Sequence, residues 1–438
     1  MTFRALPARA WLTLLPLTLA ITGAAAACGG KDSTVPDAPV DAAADTSTDT
    51  PDTSVPDDAV APVDSSVDAS VVAKRLRLVD ERVLDEKGAP IRLRGANLEG
   101  VTPAEADELS GTLHMNLARL RISFEGANRD DADPSGFSAA YRAQLDGWVD
   151  ALTSRGIWTV LEMRADDALT NDKSLYETTG AGFVAYRRAW VYLASRYKTR
   201  DYIAGYGLLA EPSVNKSGLA NPVDVLVKFQ GALMDAITND AGDSSTPFFI
   251  GPDFNYDTMQ YRYDAYYEAH AARRGRLFYA VNMLMPKPWI QDGTDPTGAQ
   301  VTYPVMPEAT NFDSLLEVKA GESYQVPAEL ERVFNKRREE PEGFAKIMSG
   351  SFAPWYLGFA TKFRAKHHVP FYVDQFGAAV GAGGQLAYEK DLVRYFEKND
   401  LHWTRWSYNA GSPPRKIAGN SAVIDFYRKL DFTKDGGL

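Results

Sequence analysis

The stretch 206–212, which reads Tyr-Gly-Leu-Leu-Ala-Glu-Pro, is a short apolar run that ends in one acidic residue, Glu211. A second run, Pro-Phe-Tyr-Val-Asp-Gln-Phe-Gly at 370–377, carries the neutral residue Gln375 near its end. Continuous apolar runs of this length are typical of strands that are buried on both faces of a parallel sheet. The two stretches therefore predict parallel strands that each present a polar side chain at the carboxyl end.

Outward from these stretches, the chain alternates short strand-like runs with longer helix-like runs. The predicted strands are 91–97, 117–123, 158–163, 203–209, 248–252, 277–284, 370–376 and 402–408. The predicted helices include 141–155, 183–198, 223–238, 354–366 and 386–398. Strands that alternate with helices over about 360 residues predict an α/β fold, a single (β/α)8 TIM barrel.

The segment 285–349 interrupts this alternation after the sixth predicted strand. It follows the carboxyl end of a strand, which is the face where barrel proteins build their sites. A long loop at this place would form the wall or lid of a cleft, and an insertion without a role in the site is an equal alternative.

The first 27 residues have the layout of an export signal, with Arg4 and Arg9 before an apolar run and small residues before Cys28. The apolar run 11–21 is too short to cross a membrane, which requires about 20 residues. The sequence Ala-Ala-Ala-Cys-Gly around Cys28 resembles a bacterial lipobox. We therefore expect a lipoprotein anchored through Cys28 on the outer surface or periplasmic side of a bacterial membrane. Ordinary signal cleavage, which gives a secreted protein, is the alternative.

Residues 28–72 are predicted to be a disordered tether, and residues 73–438 to be the barrel. Between residues 31 and 70 the chain has ten Asp, one Lys and no aromatic residue, so it cannot bury enough apolar surface to fold. Of the net charge of −11, the signal contributes +2 and this tract −9, which leaves −4 for residues 71–438. A nearly neutral barrel argues against a nucleic-acid partner, because phosphate binding requires a basic face.

We expect no cofactor and no metal. The chain has five histidines, and the adjacent His367 and His368 lack the helical spacing of two metal ligands. Cys28 is the only cysteine, so an intramolecular disulfide cannot form. We expect the protein to act as a monomer.

Carboxylates at strand ends point to sugar chemistry, because retaining glycosidases use a protonated carboxyl and an ionised carboxylate about 5–5.5 Å apart. Three further features occur in order: Gly-Ala-Pro-Ile-Arg-Leu-Arg-Gly-Ala-Asn at 88–97, Asn-Leu-Ala-Arg-Leu at 116–120, and Glu211 after the fourth strand. With these segments the sequence resembles glycoside hydrolase family 5, the cellulase-like barrels with catalytic glutamates on strands four and seven. The resemblance spans most of residues 76–410.

The resemblance implies roles for three residues that match the family pattern. Arg119 corresponds to the arginine that supports the nucleophile, Glu211 to the acid/base, and Trp406 to the aromatic floor under the reacting sugar. The departures are Arg164 in place of a histidine, Ala210 in place of the asparagine that holds the 2-hydroxyl of the sugar, Asn282 and Leu284 in place of a histidine and a tyrosine, and Gln375 in place of the nucleophile glutamate.

The amide of Gln375 has the size of a glutamate but carries no charge, and it cannot readily form a glycosyl ester. Loss of a covalent nucleophile costs several powers of ten in rate, each about 1.4 kcal/mol. We therefore predict a barrel that contacts a β-linked polysaccharide or oligosaccharide. We also predict that O-glycosyl hydrolysis by the retaining mechanism is lost or much weakened. From these residues we expect a pseudoenzyme.

A displaced carboxylate would restore chemistry. The candidates are Glu162 and Asp166 near the end of the third strand, Asp374 beside Gln375, Glu99 after the first strand and Glu125 after the second. Alternation along a strand predicts that Asp374 faces away from the Gln375 position. An active hydrolase of the endo-β-glucanase or mannanase type, using Glu211 with such a carboxylate, is one alternative. A non-catalytic cell-surface interaction protein is another.

Two charged positions have competing interpretations. Glu211 either faces a glycan or is a loop residue paired with Arg119 or Arg164. Arg164 adds a fixed positive charge that would recruit an acidic sugar, and a salt bridge to Glu162 or Asp166 is the simpler interpretation.

Overall fold

The computed structural model describes residues 73–251, 263–284, 289–293, 300–304, 339–409 and 415–430. The predicted signal, Cys28, the predicted tether and most of the 285–349 insertion lie outside the described residues. Within these described ranges, no helix is both long and apolar enough to span a membrane.

The described residues contain a closed barrel of parallel strands, preceded by a short antiparallel hairpin. The hairpin consists of β1 (Arg77–Val79) and β2 (Arg82–Leu84). The barrel strands are β3 (Arg94–Leu98), β4 (Leu117–Phe124), β5 (Trp158–Ala165), β6 (Ile203–Gly207), β7 (Phe248–Ile250), β8 (Leu277–Met283), β9 (Phe371–Phe376) and β10 (His402–Arg405). Neighbouring strands follow each other in chain order, and β10 closes against β3. The predicted (β/α)8 TIM barrel is confirmed.

Helices connect the strands on the outside of the barrel. They are α1 (Pro103–Asp107), α2 (Ala139–Thr153), α3 (Asp167–Thr170), α4 (Lys173–Tyr176), α5 (Ala181–Tyr197), α6 (Pro222–Asn239), α7 (Tyr263–Ala269), α8 (Trp289–Asp292), α9 (Pro341–His367), α10 (Gln385–Lys398) and α11 (Ser421–Arg428). Helix α9 begins earlier than the predicted 354–366 helix, so the end of the predicted insertion is helical. Pro341 fits the first turn because that turn does not need its missing N–H.

The barrel interior has an apolar floor and a polar mouth. Inward side chains near the amino ends of the strands form the floor, where the rings of Phe249 and Phe278 stack with centroids 4.3 Å apart. Leu117 of β4 and Val160 of β5 belong to this floor. Arg119 and Glu162 each lie two residues further along the same strands and are buried polar residues. Because all barrel strands run in the same direction, their carboxyl ends place such polar side chains at one mouth.

Strand β9 contains a bulge near its carboxyl end. Val373 pairs with Val281 and Gln375 with Asn282, so Asp374 is an extra residue on β9. The register against β10 also shifts at this level. A bulge interrupts the two-residue alternation of a strand. The prediction that Asp374 faces away from the Gln375 position is therefore wrong, because both side chains turn to the mouth side of the barrel.

Helix α8, a described piece of the insertion, packs beside the mouth. The ring of Trp289 is fully buried, with its centroid 5.1 Å from that of Tyr388. The backbone N–H of Ala379 donates to the carbonyl of Ile290 at 2.8 Å, which joins α8 to the loop after β9. Gln291 of the same helix reaches the pocket described below. This part of the insertion therefore contributes to the wall of the cleft.

Candidate functional site

A pocket of about 180 Å³ opens at the carboxyl ends of the barrel strands. Its walls are formed by Arg121, Glu162, Arg164, Ala210, Glu211, Leu284, Gln291, Gln375, Trp406 and Arg415. The structure thus brings Glu211 and Gln375 to one cavity, although they are far apart in the sequence. Arg119 and Asn282 lie behind the wall, where they contact the same group of side chains.

Glu211 lies in the loop after β6, with a left-handed backbone conformation at φ +50°. Such a conformation is uncommon for a residue other than glycine, and a following proline favours extended values instead. Two buried side chains hold the loop, because the hydroxyl of Tyr186 and the indole N–H of Trp190 each donate to the carbonyl of Leu208 at 2.9 Å. Backbone strain of about 1–3 kcal/mol persists only where the surroundings fix it, and it clusters at functional sites.

Arg119 is the centre of a buried network. Its guanidinium donates to Oδ1 of Asn97 at 2.7 Å, to Oδ2 of Asp374 at 3.3 Å and to the carboxylate of Glu162. Burial acts to lower the pKa of Arg119, but the carboxylates of Glu162 and Asp374 raise it above its ordinary value. Arg119 is therefore charged and holds the carboxylates of Glu162 and Asp374. The resemblance implied instead that this arginine would support the residue at position 375.

Asp374 is held from a second side by Asn282. The surrounding acceptors assign the amide nitrogen of Asn282 to the side facing Asp374, where it donates to Oδ1 at 2.5 Å and to Oδ2 at 3.3 Å. Both carboxylate oxygens thus accept hydrogen bonds, and Asp374 does not line the pocket. Asn282, one of the departures from the family pattern, serves this carboxylate.

The three carboxyl groups at the mouth influence each other. Burial raises the pKa of Glu162 to about 7 and the pKa of Asp374 to about 6. The charge of Arg119 opposes both shifts, while the negative charge of Glu211 adds to them. At neutral pH the cluster therefore retains part of a proton that isolated carboxyls would have released. Among the described residues, no group of three or more His, Cys, Asp or Glu has an arrangement that could hold a metal ion.

The other altered wall positions are neutral. Ala210 and Leu284 are buried and offer no polar side-chain atom, so neither replaces the hydrogen-bonding groups that the resemblance implied. Gln375 is buried and presents an amide. Trp406 is half-buried and supplies an aromatic ring, a surface on which a sugar face can stack.

The predicted salt bridge from Arg164 to Glu162 or Asp166 is wrong. Arg164 instead pairs with Asp167 at 3.6 Å. Asp166 caps helix α3, because its Oδ1 accepts the backbone N–H of Leu169 at 2.7 Å. A carboxylate that satisfies a helix terminus is committed to that end of the helix, so Asp166 is not the second carboxylate of the pocket.

Arg121 is a wall residue that the sequence analysis missed. It lies two residues beyond Arg119 on β4 and therefore faces the same side of the strand. Its guanidinium pairs with the carboxylate of Glu99. The two-residue alternation that begins at Arg119 is the signal that could have found it.

A buried ion pair between Arg405 and Glu389 holds the loop after β9 and the segment that carries Trp406. Nη2 of Arg405 lies 2.8 Å from Oε1 of Glu389, and both side chains are fully buried. Arg405 also donates to the carbonyls of Trp406 at 2.8 Å and Ala378 at 3.2 Å. A buried pair needs such additional hydrogen bonds to offset desolvation. The pair thereby joins the loop after β9 to the segment that bears Trp406.

The fold and the pocket define a closed (β/α)8 barrel with carboxylates and an aromatic ring at the carboxyl ends of its strands. Residues 84–261 match the family model of cellulase, glycosyl hydrolase family 5. The resemblance seen in the sequence is confirmed by this match. The matched range includes Arg119, Arg164 and Glu211, and ends before β9.

Solved structures of similar fold include three carbohydrate-related proteins. The cellulose synthase subunit Z of Clostridioides difficile has a TM-score of 0.53 at 12% identity, covering 77% of this chain and 99% of that chain. Endoglucanase Cel5A of Thermotoga maritima has a TM-score of 0.51 at 14% identity, covering 76% and 96%. Endo-glycoceramidase II of Rhodococcus sp. has a TM-score of 0.52 at 15% identity, covering 79% and 80%. These identities establish a shared fold. No curated protein matches the sequence.

Proposed function

We propose that the barrel mouth binds a β-linked polysaccharide or oligosaccharide and that retaining O-glycosyl hydrolysis is lost or much weakened. The observation that carries the proposal is the arrangement at the end of β9. The amide of Gln375 lines the pocket, while the carboxylate of Asp374 is not part of the lining and has both oxygens hydrogen-bonded to Arg119 and Asn282.

Retaining hydrolysis needs a carboxylate that can attack the anomeric carbon, about 5–5.5 Å from the acid/base. An amide oxygen carries no charge and is a poor nucleophile. Asp374 would have to give up its bonds to Arg119 and Asn282 and enter the pocket before it could attack. The site therefore keeps features that recognise a sugar and lacks the group that attacks it.

The shape of the mouth supports a ligand longer than one sugar. A second cavity of about 300 Å³ shares Arg121 with the first and is lined by Tyr141 and Trp148. Aromatic and polar groups along a groove are suited to successive sugar rings. Cel5A of Thermotoga maritima, which shares the fold, has been solved with mannotriose and with cellobiose.

The test is a binding panel with the purified chain. Affinity electrophoresis in β-glucan, mannan and xylan should show retardation in at least one polymer, and reducing-end assays should show no turnover. Trp406→Ala should reduce the retardation, and Tyr192→Ala on the outer helix α5 is the matched control. Rapid hydrolysis would overturn the inactive part of the proposal. An empty panel would favour an interaction protein that binds no sugar.

One observation favours a second candidate, an active hydrolase. Glu162 and Glu211 line the same pocket, and burial raises the pKa of Glu162 to about 7. A carboxyl that holds a proton near neutral pH can act as a general acid, and an inverting pair lies about 6.5–9.5 Å apart. This candidate requires that Glu162→Gln and Glu211→Gln each abolish measurable hydrolysis and that the product anomer, followed by NMR, is inverted.

We also propose that the chain is exported, acylated at Cys28 and held away from the membrane by residues 28–72. The lipobox-like sequence and the acidic, proline-containing composition of this region support the proposal. Labelled palmitate should be incorporated by the wild type in a bacterial host and not by Cys28→Ala. An unlabelled, soluble wild type would contradict the anchor.

A further inference from the structure

We propose that the pocket takes a sugar with a negatively charged substituent, a carboxylate or a sulfate, which binds at Arg121 and Arg164. This inference rests on the proposed function, since it names the class of glycan that the same site would take.

The charged residues of the pocket wall are mostly cationic. Three arginines line the wall together with two glutamates, Glu162 and Glu211. Glu162 is paired with Arg119 and Arg121 is paired with Glu99, so each of these charges already has a partner. Residues 71–438, which form the barrel, carry a net charge of −4, so an excess of arginines in the pocket wall does not follow from the composition of the barrel.

Arg164 has a weak partner and is accessible. Its pair with Asp167 is 3.6 Å long, and the side chain of Asp167 is 87% exposed. An ion pair of this kind contributes about 0–1 kcal/mol, so a ligand anion can compete for the guanidinium. The side chain of Arg164 is 29% exposed and lines the pocket, which makes it reachable from solvent.

Arg121 and Arg164 lie on adjacent strands at neighbouring inward positions. Arg121 pairs in register with Glu162 on β5, and Arg164 is the next inward residue of that strand. Burial, followed by the nearby charge of Arg164, lowers the pKa of Arg121. An anion between two like charges relieves their repulsion. Guanidinium groups also match the planar or forked geometry of carboxylate and sulfate oxygens.

The end of β9 favours the same ligand class. A glutamate at position 375 would add a negative charge to the wall and repel an anionic sugar, whereas Gln375 does not. Asp374 is held by Arg119 and does not line the pocket. Glutamine in place of glutamate at position 375 therefore removes the nucleophile and also removes a negative charge that would repel an anionic ligand.

Calorimetry on the purified chain tests the inference with matched ligands. The probes are a β-1,4-linked xylo-oligosaccharide that bears one glucuronate, the same oligosaccharide with its carboxyl reduced to an alcohol, and a sulfated counterpart. We expect the charged forms to bind about 10-fold or more tightly than the reduced form, as charge-assisted hydrogen bonds allow. The carboxylate and sulfate arms distinguish the two sources of the charge.

Variants of Arg164 test whether the preference for the charged ligands depends on this arginine. Arg164→Gln should abolish the preference, because the charged forms then lose the guanidinium that distinguishes them from the reduced form. Arg164→Lys should retain part of it, since it keeps the charge without the forked geometry. Arg187→Gln on the outer face of α5 is the matched control and should change nothing.

The outcomes separate this inference from the proposed function. Equal binding of charged and reduced forms would overturn the inference and leave glycan binding standing. A preference that survives in Arg164→Gln, or that Arg187→Gln reduces equally, would also overturn it. Binding of none of these probes or of the neutral polymers would overturn the proposed function itself.

Discussion

The ends of β6 and β9 meet at the same pocket but present opposite chemistry. After β6, a strained backbone held by buried side chains places the carboxyl of Glu211 in the wall. At the end of β9, a bulge turns Gln375 and Asp374 to the same side, where Gln375 lines the pocket and Asp374 is held by Arg119 and Asn282. Both strand ends thus carry a carboxylate, but of these two only that of Glu211 lines the pocket.

The difference shows that a carboxylate at a strand end is not sufficient, because its side chain must also line the pocket. Arg119 and Asn282 hold Asp374 by hydrogen bonds to both carboxylate oxygens, so this acid is a structural partner of the arginine. Glu211 is held through its backbone, which leaves its side chain at the cavity.

The largest effect is expected from removal of the cation behind β9. Arg119→Met would leave Glu162 and Asp374 buried without their partner, and we expect a loss of about 3–5 kcal/mol in the free energy of unfolding. Urea denaturation followed by circular dichroism measures it.

The exposed Arg187→Met is the control for that measurement and should cost less than about 1 kcal/mol. A similar small cost for Arg119→Met would show that the two carboxylates do not depend on this arginine.

The next prediction concerns pH. The pKa of Glu162 is raised from 4.5 to about 7 in the folded protein. Its contribution to folding is therefore fully present below about pH 4.5 and lost as the pH rises through about 7. In Glu162→Gln the side chain cannot ionise, so the free energy of unfolding no longer falls with pH through this group. Urea titrations should show the variant gaining on the wild type by about 2–3 kcal/mol between pH 5 and pH 8. A difference that is independent of pH would contradict the shift.

A smaller effect is expected from restoring the charge in the wall. Gln375→Glu places another carboxyl close to a crowded acidic group, so we expect a loss of stability of about 1 kcal/mol near neutral pH. We expect no strong recovery of hydrolysis, because Ala210, Arg164, Asn282 and Leu284 are unchanged. Aryl glycoside assays measure the rate, and a gain of several powers of ten would show that position 375 alone limits catalysis.

The smallest effect concerns the partner of Arg164. Asp167→Asn removes an exposed ion pair, so we expect a change below about 0.5 kcal/mol in the free energy of unfolding. Thermal denaturation at low salt measures it. A loss above 1 kcal/mol would mean that Arg164 is committed to this pair and less available to a ligand.

The sequence was sufficient to predict the barrel, because alternating apolar strands and amphipathic helices determine it. The order of Arg119, Glu211 and Gln375 along those strands indicated the mouth. The orientation of Asp374 was mispredicted because a bulge depends on the register of three strands, which a single strand does not reveal. The role of Asp166 was missed because capping depends on where helix α3 begins.

The most direct test of the central claim is covalent trapping. The purified chain is incubated with 2-deoxy-2-fluoro-β-cellobiosyl and β-mannosyl fluorides, reagents that accumulate a glycosyl-enzyme in retaining glycosidases, and its intact mass is measured. We predict no mass increase for the wild type, because the wall presents the amide of Gln375 and Asp374 is held by Arg119 and Asn282. A stoichiometric adduct, located on Asp374 or any other carboxylate by peptide mapping, would contradict the account.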